Sequence, residues 1–399
     1  MSFFIGIVGL GFLILIHEAG HFFTARGLQM RPRKFYIGFP PAIFKVRRGG
    51  IEYGVGAIPL GGYVKIPGMH RPAAVDLELR LQRSLREAPE LVAPLERVKR
   101  LLNAQQWAEA DAALDDLEQA LRDANQPTDA LTDVRDALGP DAYWRAPTWK
   151  RITVIFAGPG TNLLLAIVLF AILFVTGSGG YRLGFVFGIT KDDQVVNVVA
   201  RVVPGESASH AGLHAGDRIV AINGRKAPPQ EIARTIRASE GRPITLTIVR
   251  GGRTITLPPA EARQQPRQSV PQATWNSIRL TGEVTKQIGS SLTNLVHRQG
   301  RDQISSPVGI TQASSQAVKQ GWQDYFWVLG LISLSLALLN LLPLLPLDGG
   351  HIFFSILEAI RGRAVPREVY ERVSAVGIAL VLALFFIGLS NDVGRIGGG

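Results

Sequence analysis

FFIGIVGLGFLILIHEAGHFFTA, residues 3–25, is the stretch that decides the fold of this 399-residue chain. It is apolar over most of its length, and roughly 20 apolar helical residues are enough to cross the hydrocarbon core of a bilayer. A cleavable signal peptide is disfavoured because no basic segment precedes the run, no small-x-small cleavage site follows it, and it carries two His and one Glu. The sequence therefore predicts a first transmembrane helix over residues 1–25.

Three ionisable side chains lie inside this predicted helix, in the pattern HEAGH at residues 17–21. The four-residue spacing puts the imidazoles of His17 and His21 on one helix face, where they can share a metal ion beside the carboxylate of Glu18. Ionisable groups at lipid depth are costly unless they face a polar interior, a metal or one another. Because the chain contains no Cys, a metal must be bound by His, Asp or Glu. We therefore expect a zinc site with His17 and His21 as ligands and Glu18 as the base that acts on water.

A catalytic zinc site needs a third protein ligand and one open position. Asp348, in the LDGGH stretch at 347–351, is the best candidate because it follows the third apolar run on the side of the membrane that the first run reaches near His21. Two alternatives stay open. Asp348 could instead serve as a helix C-cap or turn residue before the glycines, and His351 competes for the ligand position.

Three further apolar runs, at 150–176, 325–347 and 369–390, are long enough to span a bilayer. The hydrophobic content of 46% and the mean hydropathy of +0.16 exclude an ordinary soluble enzyme of this size. The sequence therefore predicts a multi-pass α-helical membrane protein with about four transmembrane helices.

Basic residues flank these runs at 26–34, 150–151 and 361–367, and Lys and Arg next to spans favour the cytoplasmic side. The segment 348–368 is then a cytoplasmic loop that carries the LDG motif. The long segment 176–324 and both termini face outward.

The net charge of +11 could indicate nucleic acid, but the sequence holds no nucleic-acid-binding motif, and anionic lipid is the partner that basic residues beside spans favour. Residues 73–145 differ from the rest, with 15 acidic against 9 basic residues. Their leucines recur at helical spacing, for example Leu77, Leu81 and Leu85. This pattern predicts a cytoplasmic acidic helical insert, either structural or a docking site for a partner.

Short β-type runs occur in two places. Within the flank at 26–72, residues 49–69 alternate apolar and small residues between glycine turns and are apolar enough to enter the bilayer, with a simple cytoplasmic hairpin as the alternative. Residues 185–258 are β-rich, with a hairpin turn at Asn223-Gly224. Residues 270–323 are amphipathic, which predicts helices lying on the outer membrane face.

Several separated motifs resemble the site-2 protease family, the zinc metalloproteases of regulated intramembrane proteolysis. They are HEAGH at 17–21, FAGPGTN at 156–162, and NLLP at 340–343 leading to LDGG at 347–350. The resemblance implies that His17, His21 and Asp348 bind Zn2+, that Glu18 is the general base, and that Asn340 holds the substrate backbone or the oxyanion. Asn162 would share the substrate role, with close packing of small residues as its alternative.

The same resemblance implies an intramembrane zinc metalloendopeptidase in the cell (inner) membrane, with its active site near the cytoplasmic face. Its substrates would be the transmembrane segments of single-pass membrane proteins of the anti-sigma-factor type. Residues 49–69 look like a membrane re-entrant β-loop to which an unwound substrate adds as a strand. Residues 185–258 look like one PDZ domain outside the cytoplasm that binds or excludes a peptide or a substrate ectodomain. The alternatives are a non-catalytic PDZ-bearing membrane scaffold and a membrane-anchored zinc peptidase acting on soluble peptides.

Overall fold

The computed structural model describes residues 1–177, 181–189, 195–264, 267–296 and 306–397. The α-helices are α1 (Ser2–Gly27), α2 (Ala74–Glu87), α3 (Val92–Asn103), α4 (Trp107–Asp123), α5 (Thr132–Leu138), α6 (Thr148–Thr176), α7 (Ser207–His210), α8 (Pro229–Arg237), α9 (Val270–Val296), α10 (Pro307–Gln320), α11 (Trp322–Asn340), α12 (Asp348–Arg361) and α13 (Arg367–Gly397). The strands are β1 (Lys34–Arg48), β2 (Ile51–Lys65), β3 (Tyr181–Arg182), β4 (Phe185–Ile189), β5 (Val195–Val202), β6 (Arg218–Ile222), β7 (Arg225–Lys226), β8 (Pro243–Ile244), β9 (Leu246–Arg250), β10 (Arg253–Thr256), β11 (Ala260–Glu261) and β12 (Arg263–Gln264).

Four helices in this part of the chain are long and apolar enough to cross a membrane, namely α1, α6, α11 and most of α13. A β-rich region lies between the second and the third of them. This arrangement fits the predicted multi-pass membrane protein with an inserted β domain.

The third apolar run differs from the prediction, because α11 ends at Asn340 and not at residue 347. Pro343 and Pro346 follow, and a proline removes a backbone donor and disfavours helix in the residue before it. The chain becomes helical again at Asp348, which begins α12. Residues 348–361 therefore form a helix where the sequence predicts a loop, and Asp348 is not a helix C-cap.

The chain forms two compact units, and the first comprises residues 7–163 and 336–382. In this unit β1 and β2 make a sheet whose residues 34–37 take two partners each, one within 52–55 and one within 62–65. Residues 62–65, which we call the edge segment, pair on one side only within the described register. The sheet thus presents a free strand edge.

The acidic insert in the same unit consists of α2 to α5 around a core of its own. The apolar residues at helical spacing come together there because each helix buries one face. The core includes Leu77, Leu81, Leu95, Leu114, Leu117, Leu121, Leu131 and Leu138.

The second unit comprises residues 1–6, 164–335 and 383–399, and its β-rich part has a core of its own. A six-stranded antiparallel sheet runs in the order β10-β9-β6-β5-β4, with β7 paired to β6. Asn223 and Gly224, with φ of 47° and 75°, join β6 to β7 in the turn that their sequence predicts. The pairs β11–β8 and β12–β3 form two smaller sheets.

Candidate metal centre

The side chains of His17, His21 and Asp348 converge on one point. One ligand atom from each lies within 4.8 Å of the others, and they are the only such group of three in the part of the chain that the structure describes. Nε2 of His17 lies 3.2 Å from Nε2 of His21, and Oδ2 of Asp348 lies 3.1 Å from His17 Nε2 and 3.4 Å from His21 Nε2. The two halves of the site thus come from α1 and from the first residue of α12.

The orientation of the His21 ring is set by α6. Its Nδ1 lies 2.9 Å from the carbonyl oxygen of Val154, and a carbonyl only accepts, so Nδ1 carries the proton and donates. In the neutral ring Nε2 is then a bare lone pair that faces the lone pairs of the Asp348 carboxylate. Lone pairs that face one another inside a protein repel unless a cation lies between them. The arrangement therefore suits a metal ion.

The spacing of the three atoms also fits zinc. Ligand atoms about 2.0–2.1 Å from a tetrahedral zinc ion lie about 3.3–3.4 Å from one another. The three separations here, 3.1, 3.2 and 3.4 Å, are close to that value. Two imidazoles and one carboxylate are also a donor set that catalytic zinc sites use, with the fourth position open.

The edge segment borders Glu18. A Cβ atom built on Gly62 would lie 2.2 Å from Cγ and 3.0 Å from Oε1 of Glu18, so the strand backbone passes directly over this side chain. Only a glycine permits that approach. Sequence reasoning missed Gly62 as a site residue, although the paired glycines at 61–62 in a strand were a signal of close backbone contact.

Gly158 on α6 leaves room for the ring of His21, as Gly62 leaves room for Glu18. A Cβ atom at this position would lie 2.2 Å from Nε2 of His21. One turn further along α6, Thr161 donates from Oγ1 to the carbonyl oxygen of Ile16 at 3.1 Å, which ties α6 to α1 beside the motif. The FAGPG stretch therefore makes room for the ring of His21, a role that sequence reasoning did not assign to Gly158.

Three other candidates lie outside the cluster of ligand atoms. Asn162 is fully buried on α6, and Asn340 is the last residue of α11 and is half-buried. His351 lies one turn after Asp348 on α12, with its ring centroid 6.2 Å from that of His70. Burial, together with the neighbouring His70, lowers the pKa of His351 to about 4, so this ring is neutral at pH 7. Among the described residues, Asp348 and not its competitor His351 places a ligand atom in the cluster with His17 and His21.

Comparison with known proteins places these residues in a family context. A sequence profile of Peptidase family M50 matches residues 5–384, a range that includes both halves of the cluster. The chain is 29% identical over 421 residues to the zinc metalloprotease RasP of Geobacillus kaustophilus, covering 97% of this chain and 96% of that protein. It is 26% identical over 430 residues to the regulator of sigma-W protease RasP of Bacillus subtilis, covering 98% and 97%. The similarity therefore extends over nearly the whole length of the chain.

Proposed function

The chain belongs to peptidase family M50 and is a zinc metalloprotease, and from this premise we propose that it cleaves single-pass membrane proteins within or beside their transmembrane segments. The observation that carries this proposal is the position of the ligand cluster. His17 and His21 lie within α1, about 22 Å and about 28 Å along its axis from Ser2, and the apolar run continues past them. A zinc site at this position would act on peptide bonds of the substrate that lie at membrane depth.

His17, His21 and Asp348 are the proposed zinc ligands. When bound there, zinc supplies a Lewis acid that makes water a better nucleophile and polarises the scissile carbonyl. His21 is kept in the ligating tautomer by its hydrogen bond to Val154.

Glu18 is the proposed general base and then general acid. It accepts a proton from the attacking water as the carbon–oxygen bond forms. It then delivers that proton to the amine nitrogen as the carbon–nitrogen bond breaks, so its carboxylate is regenerated in each cycle. Gly62 confines the Glu18 side chain on one side, which limits the conformations available to the base.

The edge segment is the proposed seat of the substrate backbone. A helical peptide bond is shielded by its own hydrogen bonds, so the substrate must unwind, and an extended chain can add to a free strand edge. Sheet residues 34–65 would then form a re-entrant loop. Asn340 and Asn162 are proposed to hold the substrate backbone or the developing oxyanion.

The β-rich domain is proposed to be a PDZ-like module outside the cytoplasm that binds a peptide or excludes a substrate ectodomain. The acidic insert and α12 are proposed to be cytoplasmic, and the protein is assigned to the inner membrane. The name of the Bacillus subtilis relative, regulator of sigma-W protease, supports membrane-anchored anti-sigma factors as the substrate class.

The test uses the full chain with a tagged single-pass substrate in detergent or liposomes. We expect Glu18→Gln to retain zinc and to lower cleavage by about 10²–10⁴-fold, since only proton transfer is lost. Asp348→Ala should lose both zinc and cleavage. His351→Ala is the matched control from the same helix, and it should keep its zinc.

The need for an apolar segment in the substrate separates the proposal from its rivals. A water-soluble peptide without an apolar segment should not be cut, and efficient cutting of it would identify a membrane-anchored peptidase of soluble peptides. Cleavage by the Glu18→Gln protein at the wild-type rate would refute the proposed chemistry. Zinc binding that is unchanged in Asp348→Ala would refute it as well.

A further inference from the structure

The acidic insert makes ionic contacts with the sheet that borders Glu18. Arg33, just before β1, donates from Nε to Asp136 at 2.8 Å and from its Nη atoms to Asp141 at 2.9 and 3.2 Å. Lys65, the last residue of the edge segment, donates to Asp133 and lies 3.2 Å from Asp136. We call these five residues the charge clamp. Asp136 contacts both cations, so it joins the two ends of the sheet to the insert.

The clamp acts close to the base. Lys65 is three residues from Gly62 on the same strand segment, a distance of about 10 Å along the strand. The backbone amide of Arg33 donates to the carbonyl oxygen of Lys65 at 2.7 Å. A carboxylate of the insert is therefore linked through one strand segment to the backbone that confines Glu18.

Four of the five side chains of the clamp, all but Asp133, are partly buried, and low exposure strengthens an ion pair. The side chains of Asp136 and Asp141 are 13% and 16% exposed, and that of Arg33 is 31% exposed. Partly buried, bidentate pairs of this kind contribute more than the exposed pairs on the outer face of the insert.

The end of the insert reinforces the same attachment through its backbone. Tyr143 N–H donates to the carbonyl oxygen of Pro67 at 2.9 Å, and Trp144 N–H donates to that of Gly68 at 3.1 Å. The chain leaving the edge segment is thus held by the insert immediately after Lys65.

We propose that the insert is a positioning device for proteolysis, in which Asp133, Asp136 and Asp141 hold the edge segment in the register that receives the substrate strand. The inference rests on the proposed function for its substrate-binding role. Arg33 and Lys65 are positioning residues, since they touch neither the ligand cluster nor the base among the contacts of the described residues.

The test compares two double variants of the full chain that remove the same charge from the same insert. Asp136→Asn with Asp141→Asn removes carboxylates of the clamp. The control, Asp115→Asn with Asp116→Asn, removes carboxylates that pair with Arg135 and Arg97 inside the insert.

We expect the clamp variant to raise KM for a membrane substrate by about tenfold while kcat stays near the wild-type value. The reason is that a loosened edge segment lowers the fraction of molecules ready to bind, while Glu18 and the ligand cluster stay intact. Asp136→Glu keeps the charge that Asp136→Asn removes. Its KM should therefore lie much closer to the wild-type value than the KM of Asp136→Asn does. The control variant should match the wild type.

Hydrogen exchange gives a readout that does not depend on cleavage. Amides of residues 62–65 should exchange faster in the clamp variant than in the control. Wild-type KM and wild-type exchange in the clamp variant would overturn the proposal, and so would parallel losses of kcat and melting temperature with KM unchanged. If the wild type cuts no membrane substrate, the proposed function fails, and the exchange data still decide whether the clamp positions the strand.

Discussion

At the scale of single residues, the absence of a side chain at Gly158 leaves the room that the ring of His21 occupies. We expect Gly158→Ala to weaken zinc binding by about 10–100-fold, because its methyl group would occupy the position 2.2 Å from Nε2 that the His21 ring now uses. Helix propensity works in the opposite direction, since alanine favours helix over glycine. The measurement is zinc retention by the purified full chain against a chelator.

Gly160→Ala, two residues further on α6, is the control for that substitution. Its methyl group would meet Cε1 of Phe156 at 3.1 Å, and that ring is 44% exposed and can move aside. Equal zinc retention in the two variants would show that the glycine at 158 does not serve the His21 ring.

The sequence was informative at this scale where chemistry and spacing coincide. The HEAGH spacing predicts that His17 and His21 face one ion, and the structure brings their Nε2 atoms to 3.2 Å. The approach of Gly62 to Glu18 could not be predicted, because it depends on how a distant strand folds back over α1. The glycines at 61–62 signal a close backbone contact, but periodicity and composition do not tell which residue is contacted.

At the scale of elements, an ion pair between Asp217 and Arg250 ties the start of β6 to β9 in the β-rich domain. Asp217, before β6, is 1% exposed and accepts from Nε and Nη2 of Arg250 on β9 at 2.7 Å each. It also accepts from the backbone N–H of His214 at 2.8 Å. The hydrogen bonds from Arg250, with that from His214, lower the pKa of Asp217 below its ordinary value.

A carboxyl group whose pKa is lower in the folded state stabilises the fold above its unfolded pKa, and that contribution is lost as the pH falls through the folded value. We therefore expect the β-rich domain to lose stability on acidification below about pH 4. Asp217→Asn should cost about 1–3 kcal/mol at pH 7 and flatten this dependence. Hydrogen exchange of β6 and β9 amides at pH 7 and in acid measures both effects, with the exposed Glu231→Gln as the control. An unchanged acid dependence in Asp217→Asn would contradict this assignment.

Hydropathy predicted the apolar helices, except where the conformation of the backbone and not the polarity of the side chains sets the end of a helix. Residues 325–347 are mostly apolar and contain no charged residue, so hydropathy continues the third helix to residue 347, yet α11 ends at Asn340. The prolines at 343 and 346 allow the chain to turn there, and the new helix begins at Asp348. A window of hydropathy averages over such a break, although the break brings Asp348 next to the imidazoles of His17 and His21.

At the scale of the whole molecule, the proposed topology can be tested because the chain has no Cys. A single α6 separates the acidic insert from the β-rich domain in the sequence, so if α6 spans the membrane the two must lie on opposite sides. The basic residues at 150–151 favour the cytoplasm for the insert.

The labelling experiment introduces one thiol at an exposed position, either in the acidic insert as Ala112→Cys in α4 or in the β-rich domain as Thr254→Cys in β10. In right-side-out vesicles an impermeant maleimide should label Thr254→Cys and should reach Ala112→Cys only after lysis, while the wild type gives no background. Labelling of both from the same side would exclude α6 as a span, and the reverse pattern would put the charge clamp and the edge segment on the outer side of the membrane.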